Sequence, residues 1–462
     1  MPETIELTKE SNLSLAAVEE LSAAKHEPAW MMQSRRDAWE TYLQLPMADW
    51  TRGIRGWWAG TVKETVFDGL KPFVAASTHD LNALPDAAKS LLRPQPLEEA
   101  DEEDKGEVSG TSSDAAGVLV QYNSEVISTT LAQQIRNQGV ILCSLDEAVQ
   151  QHPELVQRYF MTRAVKASEN KFTALHAALW SGGVFLYVPK GVQIEQPIRA
   201  IYYMDDPAFA NFTHTLVIAE ADSHVRLVEE HVSPNGPTHS IDCGIVEIFC
   251  GTQARTEYYD QQEWGDGVSN FAIKRAMVGK YGLHKWVVAT LGSDLTRLNL
   301  DSVLEGEGAR VETNGFTFPN GQQHFDVRNI TRHTVPHTSA DSLFKAVLNG
   351  TSQMGFEGII RADKAAQDTD SHLLANTLYL NESCKAEVQP GLDVWANEVR
   401  CMHGATIGMI DDEQIFYLKS RGIPEDEARQ LIVEGFFEGV IARVPLAGVR
   451  HRLRESIVRK LA

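Results

Sequence analysis

Two residues in one short run have the chemistry to share a ligand: Cys401 and His403, within Val399-Arg-Cys-Met-His-Gly-Ala-Thr-Ile-Gly408. On an extended strand, residues i and i+2 project from the same face, so the sulfur and the imidazole can converge on one object. Thiolate and imidazole suit zinc, copper and iron–sulfur species. Two such ligands leave a tetrahedral site half made, so a second chain or distant residues must supply the rest. The competing reading is structural, a part-buried cysteine beside a hydrogen-bonded histidine, and on spacing alone it is the commoner outcome.

His324, Asp326, His333 and His337 form a second set. An H-x3-H pair binds zinc when a helix brings its two rings together. Pro336 and the neighbouring threonines predict a loop or a strand pair there instead. Among larger signatures there is no GxxxxGK[ST], and no GxSxG, HExxH or GxGxxG in a usable context. No ATP site is expected in this chain, so any nucleotide energy must come from a partner. Nothing in the residues argues for or against a flavin. The strands carry enough Asp and Glu to leave an acidic pair for sugar chemistry open.

Composition narrows the partners. A net charge of −21 over 462 residues argues against nucleic acid, which needs a basic surface. No run of about 18 apolar residues occurs, so no membrane-spanning helix is expected. The start, Met-Pro-Glu-Thr-Ile-Glu-Leu, lacks the basic and apolar regions of a secretory signal, and the expected location is the cytoplasm. Five cysteines, widely spaced and without CxxC, predict no disulfide framework. Cys143, Cys243 and Cys250 read as small buried hydrophobes.

The elements that must position these residues fall into five stretches. Residues 1–93 read as helical, with apolar spacing from Leu13 to Ala24 and a second segment from Pro28 that stops at Pro46. Residues 94–116, acidic and then Ser/Gly/Thr-rich, read as a solvated linker. Residues 117–180 mix one β-like run, Gly117 to Tyr122, with helical stretches. From 181 to 408 short β-rich runs follow one another, from Val184–Val188 to Leu392–Val399, divided by Gly, Pro, Asp and Asn. Such spacing fits a sandwich, a barrel or a solenoid, and no sharp repeat decides among them. Helix returns in 409–462: Asp411-x-x-Gln414 predicts a capped start and Arg421-Gly422 a stop. A helix follows Pro424, and a last one has Val449, Leu453, Ile457 and Leu461 on one stripe with a basic opposite face. That face is either solvated or a partner surface.

Three blocks resemble the SufB/SufD family of iron–sulfur cluster assembly proteins. The first is Glu27-Pro28-x-Trp30 with Arg35 and Ala38-Trp39. The second is Leu179-Trp-Ser-Gly-Gly-Val-Phe-Leu-Tyr-Val188-Pro-Lys-Gly191. The third begins at Gln323-His324-x-Asp326, passes through His333-x3-His337-Thr and Ala366-Gln-x-Thr-Asp370, reaches Cys401-x-His403-Gly-Ala-Thr406, and ends at Asp412-Glu-Gln-Ile-Phe-Tyr-Leu-Lys-Ser-Arg-Gly-Ile423.

The resemblance implies a mainly β protein, a right-handed parallel β-helix core between N-terminal and C-terminal helical regions. It implies a non-enzymatic scaffold that pairs through the β-helix and binds the SufC ATPase through the C-terminal helices, with Phe416, Tyr417, Arg421 and Gly422 on the binding segment. Cys-x-His-Gly-Ala-Thr is similar to the SufD branch, and the counterpart of the SufB cysteine falls near Ala375. The implied role of His403 is to hold a nascent iron–sulfur cluster at an interface with a SufB-like paralogue, with Cys401 as a secondary candidate. The rivals are a SufB-like scaffold that pairs with itself and a β-helix enzyme acting on polysaccharides.

Overall fold

The computed structural model describes residues 13–46, 67, 69–92, 115–236, 239–444 and 447–461. The acidic stretch expected as a linker lies outside them, save Ala115 and Ala116, which are buried.

The strand-rich body is a parallel β-solenoid. The chain alternates between two sheets, so that every second strand joins the same sheet, one of ten strands and one of eleven. In-register stacking puts Leu295, His324, Gln353 and Lys385 in one column and Arg310, Ser339, Asp370 and Arg400 in another. Each coil is thus about 30 residues with two long strands, and what repeats is geometry rather than residue identity. That is why no sequence repeat announced it.

Inner side chains form a continuous core between the sheets, from Leu119 and Leu186 through Val217, Ile248 and Leu300 to Phe356 and Leu373. The outer faces are covered as well. Helices Leu15–Ala24, Ala29–Gln44 and Lys171–Leu179 pack on the outer face of the eleven-stranded sheet, over Phe185, Leu216, Ile218 and Phe249. Helices Glu425–Ile441 and Ala447–Leu461 pack on the other sheet, over Val287, Phe316, Leu343 and Val347. Strands buried on both faces read as nearly continuous apolar runs, as Val184–Val188 does.

The N-terminal motif proves to be a clamp. Arg35 is fully buried, paired with Glu27 at 2.6 and 2.7 Å, and donates to the carbonyls of Ala178 and Trp180. Its guanidinium lies over the Trp180 ring. Gly182 and Gly183 follow with positive φ, and any Cβ on Gly183 would overlap the His214 carbonyl.

A buried relay joins helix Lys171–Leu179 to the sheet. His176 Nδ1 donates to the Cys243 carbonyl at 2.7 Å, which leaves its Nε2 to accept from His214 Nδ1 at 3.0 Å. Burial holds both rings neutral, His214 at about 3. The bare His214 Nε2 then faces Glu247 Oε2 at 3.2 Å, an arrangement that requires a proton on the carboxyl. Desolvation raises Glu247 to about 8, in accord with that proton.

One sequence expectation is corrected. The run Leu392–Val399 is not one strand: strand Lys385–Val394 ends there, a turn intervenes, and Val399–Met409 begins the next. That strand begins before Pro390-Gly391, and Pro390 fits inside it because the strand is the last in its sheet, where a missing N–H is tolerated. Part of the basic side of the last helix is engaged within the chain. Arg452 pairs with buried Glu230 at 2.6 Å, Arg459 with Glu263 at 2.8 Å and Arg454 with Glu438 at 3.2 Å.

Candidate functional site

Cys401 and His403 lie on Val399–Met409, the last strand of the ten-stranded sheet. The register stacks Cys401 on Ser371, His403 on Leu373, Ala405 on Ala375 and Ile407 on Thr377. Those four lower residues are buried, so Cys401 and His403 continue the inner stripe of the solenoid. The opposite sheet ends likewise, with Val388 over Phe356 and Leu392 over Ile360.

Among the described residues no strand lies beyond either one, so this stripe emerges into the open. Leu392 is 45% exposed, Ile407 48% and Met409 49%. The other end of the solenoid differs. There the antiparallel strands Glu125–Leu131 and Ile141–Ser144 close the sheets, and Val126, Leu131 and Ile135 pack against the core.

The thiol and the ring therefore share one face at the open end of the solenoid. Cys401 is part-buried against the inner core, and burial, followed by the Asp370 carboxylate, raises its thiol above the usual range. His403 is exposed. Cys384, just before the neighbouring last strand, is buried in the same core. Cys143, Cys243 and Cys250 are buried and free, with thiols raised by desolvation.

The second histidine set does not assemble. His324 and His333 occupy opposite ends of one strand, neither loop nor helix. His333 bonds Thr338 Oγ1 at 2.8 Å, and His337, at positive φ, faces Asp368 at 3.5 Å. Asp326 pairs with Arg297.

Beyond the open end, helix Asp412–Ser420 is capped by the Asp411 carboxylate, which accepts from Glu413 N at 2.8 Å. Ile415 points inward, while Phe416 and Tyr417 are 74% and 56% exposed. Arg421 donates to the Tyr417 hydroxyl at 3.0 Å and lies over its ring. Gly422 takes φ +89° in the stop that follows.

Sequence reading missed a charged group in the bore. Strand His224–Val232 alternates, with Val225 and Leu227 facing the core, so Glu229 and His231 face it too. Asp260 lies on the next strand of that sheet, and Lys274 and Asp242 on the opposite one. Glu229 accepts from Thr215 at 2.6 Å, from Tyr202 at 3.1 Å and from Tyr258. Lys274 Nζ is 3.1 Å from Asp260 Oδ2. The signal was available: carboxylate and imidazole at i and i+2 on the apolar face of a strand.

Comparison with known proteins places the chain. The family model described as "SUF system FeS cluster assembly, SufBD core domain" matches residues 202–436, and the "SufBD protein N-terminal region" matches residues 108–200. An iron–sulfur cluster assembly SufBD family protein of Staphylococcus haemolyticus is 31% identical over 440 residues, covering 95% of this chain and 90% of that protein. A relative from Staphylococcus epidermidis, described as the same kind of protein, is similar to the same extent. Among the described residues, no helix is long and apolar enough to cross a membrane. With a parallel β-solenoid flanked by helices, and with these matches over most of its length, the chain belongs to the SufBD family of iron–sulfur cluster assembly proteins.

Proposed function

We propose that this chain is a SufD-like scaffold subunit that pairs, through the open end of its solenoid, with a SufB-like paralogue. The observation that carries the reading is the exposed inner stripe. Among the described residues, apolar side chains of the stripe that the fold buries in earlier coils are left in water at this end, and they surround Cys401 and His403. A partner's matching end would cover them, and a patch of that kind marks an interaction surface. The nascent cluster is the cargo, held between His403 and a cysteine of the partner, with Cys401 as the neighbouring thiol. A single imidazole and a part-buried thiol do not complete a coordination sphere, which fits a shared and transient hold.

A SufC-type ATPase docks on the exposed Phe416 and Tyr417, with Arg421 and Gly422 fixing the end of that helix. ATP-driven closure of two such subunits pulls on the C-terminal helices and loosens the paired ends. The reading places the complex in the cytoplasm, away from nucleic acid and membrane.

Anaerobic affinity purification of the tagged chain tests the pairing: an ATPase and a second SufBD paralogue are expected to come with it. His403→Ala should cripple cluster assembly by that complex while the melting curve stays unchanged. Normal maturation of iron–sulfur enzymes in the variant would overturn the role of His403. A complex containing two copies of this chain and no paralogue would replace the heterodimer with self-pairing.

A further inference from the structure

We infer that Met409 is a modification site, whose oxidation by a peroxide to the sulfoxide closes the open end of the solenoid to its partner. This regulation rests on the pairing proposed above.

The fold keeps most of its described thioethers from water. Met31, Met204, Met277 and Met354 are buried, and Met32 and Met161 are part-buried. Among the described methionines only Met402 and Met409 are exposed, at 52% and 49%. Both lie on strand Val399–Met409, and the alternation of a strand separates them. Met409 shares the face of Cys401, His403 and Ile407. The register seats it on Tyr379, which packs against the inner core. Met402 takes the opposite face, beside His372. Met409 therefore belongs to the stripe that a partner's matching end would cover, and Met402 lies outside it.

The chemistry needs no further protein group. The Met409 sulfur donates a lone pair to one peroxide oxygen, so that an S–O bond forms as the O–O bond breaks. The other oxygen leaves and is protonated to water. Sulfur is oxidised by two electrons and the peroxide is reduced by two. The product turns a flexible apolar side chain into a polar, chiral one. Its neighbours along the stripe are aliphatic, Ala405 and Ile407 on its own strand and Ala386 and Val388 on the last strand of the opposite sheet. Pairing would enclose the sulfoxide oxygen among such groups, at the cost of stripping its water. The same enclosure shields the unmodified thioether, so the free chain is the oxidisable form and the pair is the protected one.

The test treats the full-length chain with hydrogen peroxide, removes the excess with catalase and adds dithiothreitol to reverse thiol oxidation. The SufB-like paralogue is then titrated in by calorimetry, and peptide mass spectrometry locates the added oxygen. Met409 should carry oxygen in the treated free chain and far less in a pair formed before treatment. Pairing should weaken by about tenfold or more, and methionine sulfoxide reductases A and B should restore it. Met409→Leu, compared with its own untreated sample, should be indifferent to peroxide. Met402→Leu should lose affinity as the wild type does. An unmodified Met409, a modified one with unchanged pairing, or equal loss in Met409→Leu would overturn the switch alone. No pairing by the untreated chain would overturn the open-end reading and the switch together.

Discussion

Cys401 and His403 were legible because two uncommon ligand types stood two residues apart in a glycine-flanked run. Glu229, His231 and Asp260 were not: they are scattered over two strands, and only the parity of each strand reveals that they face inward. Glu247 was equally silent in the sequence and has a measurable consequence. Its carboxyl keeps a proton up to about pH 8 in the folded chain, against an ordinary value of 4.5. The folded state therefore binds more protons than the unfolded state across that window, so this group's contribution to stability falls as pH rises through it. Glu247→Gln retains a donor for His214 Nε2 and an acceptor for one backbone amide, and it cannot ionise. Urea melts at pH 5.5 and 8 should show the variant gaining on the wild type by about 3 kcal/mol between the two. An equal pH dependence in both proteins would show that the carboxyl is already ionised at the lower pH.

At the level of elements, most strands were visible as β-rich runs divided by turn residues. The boundary at residues 394–399 was not, because a proline inside a strand reads as a stop unless one knows that the strand is an edge. The basic last helix was undecided for a related reason: its arginines answer carboxylates such as Glu230 and Glu263, about 200 residues away in the chain. The C-terminal helices hold through Phe437, fully buried with its ring 5.3 Å from that of Phe316. Phe437→Ala should destabilise the protein by about 3–5 kcal/mol. Hydrogen exchange should localise the loss to Glu425–Ile441 and strand Arg310–Thr317, whereas uniform exchange would mean that the helix is no separate unit of stability.

The whole molecule was the least legible level. Turn spacing left sandwich, barrel and solenoid open, and only the resemblance selected the β-helix, since the coils share a path and not a motif. A solenoid is held together mainly by nearest neighbours, and its last coil has a neighbour on one side only. Backbone amides of Lys385–Val394 and Val399–Met409 should therefore exchange fastest among the strands, and under the proposed pairing they should slow when a SufB-like paralogue is added. Protection that appears elsewhere and leaves these strands unchanged would move the interface off the open end.

The unequal ends also set how far assembly can run. A stack of coils with two bare ends is a monomer for linear polymerisation, because each addition regenerates the surface that received it. In this chain the antiparallel strands Glu125–Leu131 and Ile141–Ser144 turn one end into a dead terminus. Under the proposed pairing through the open end, head-to-head contact uses up that surface in a single step, and growth along the solenoid axis stops at two.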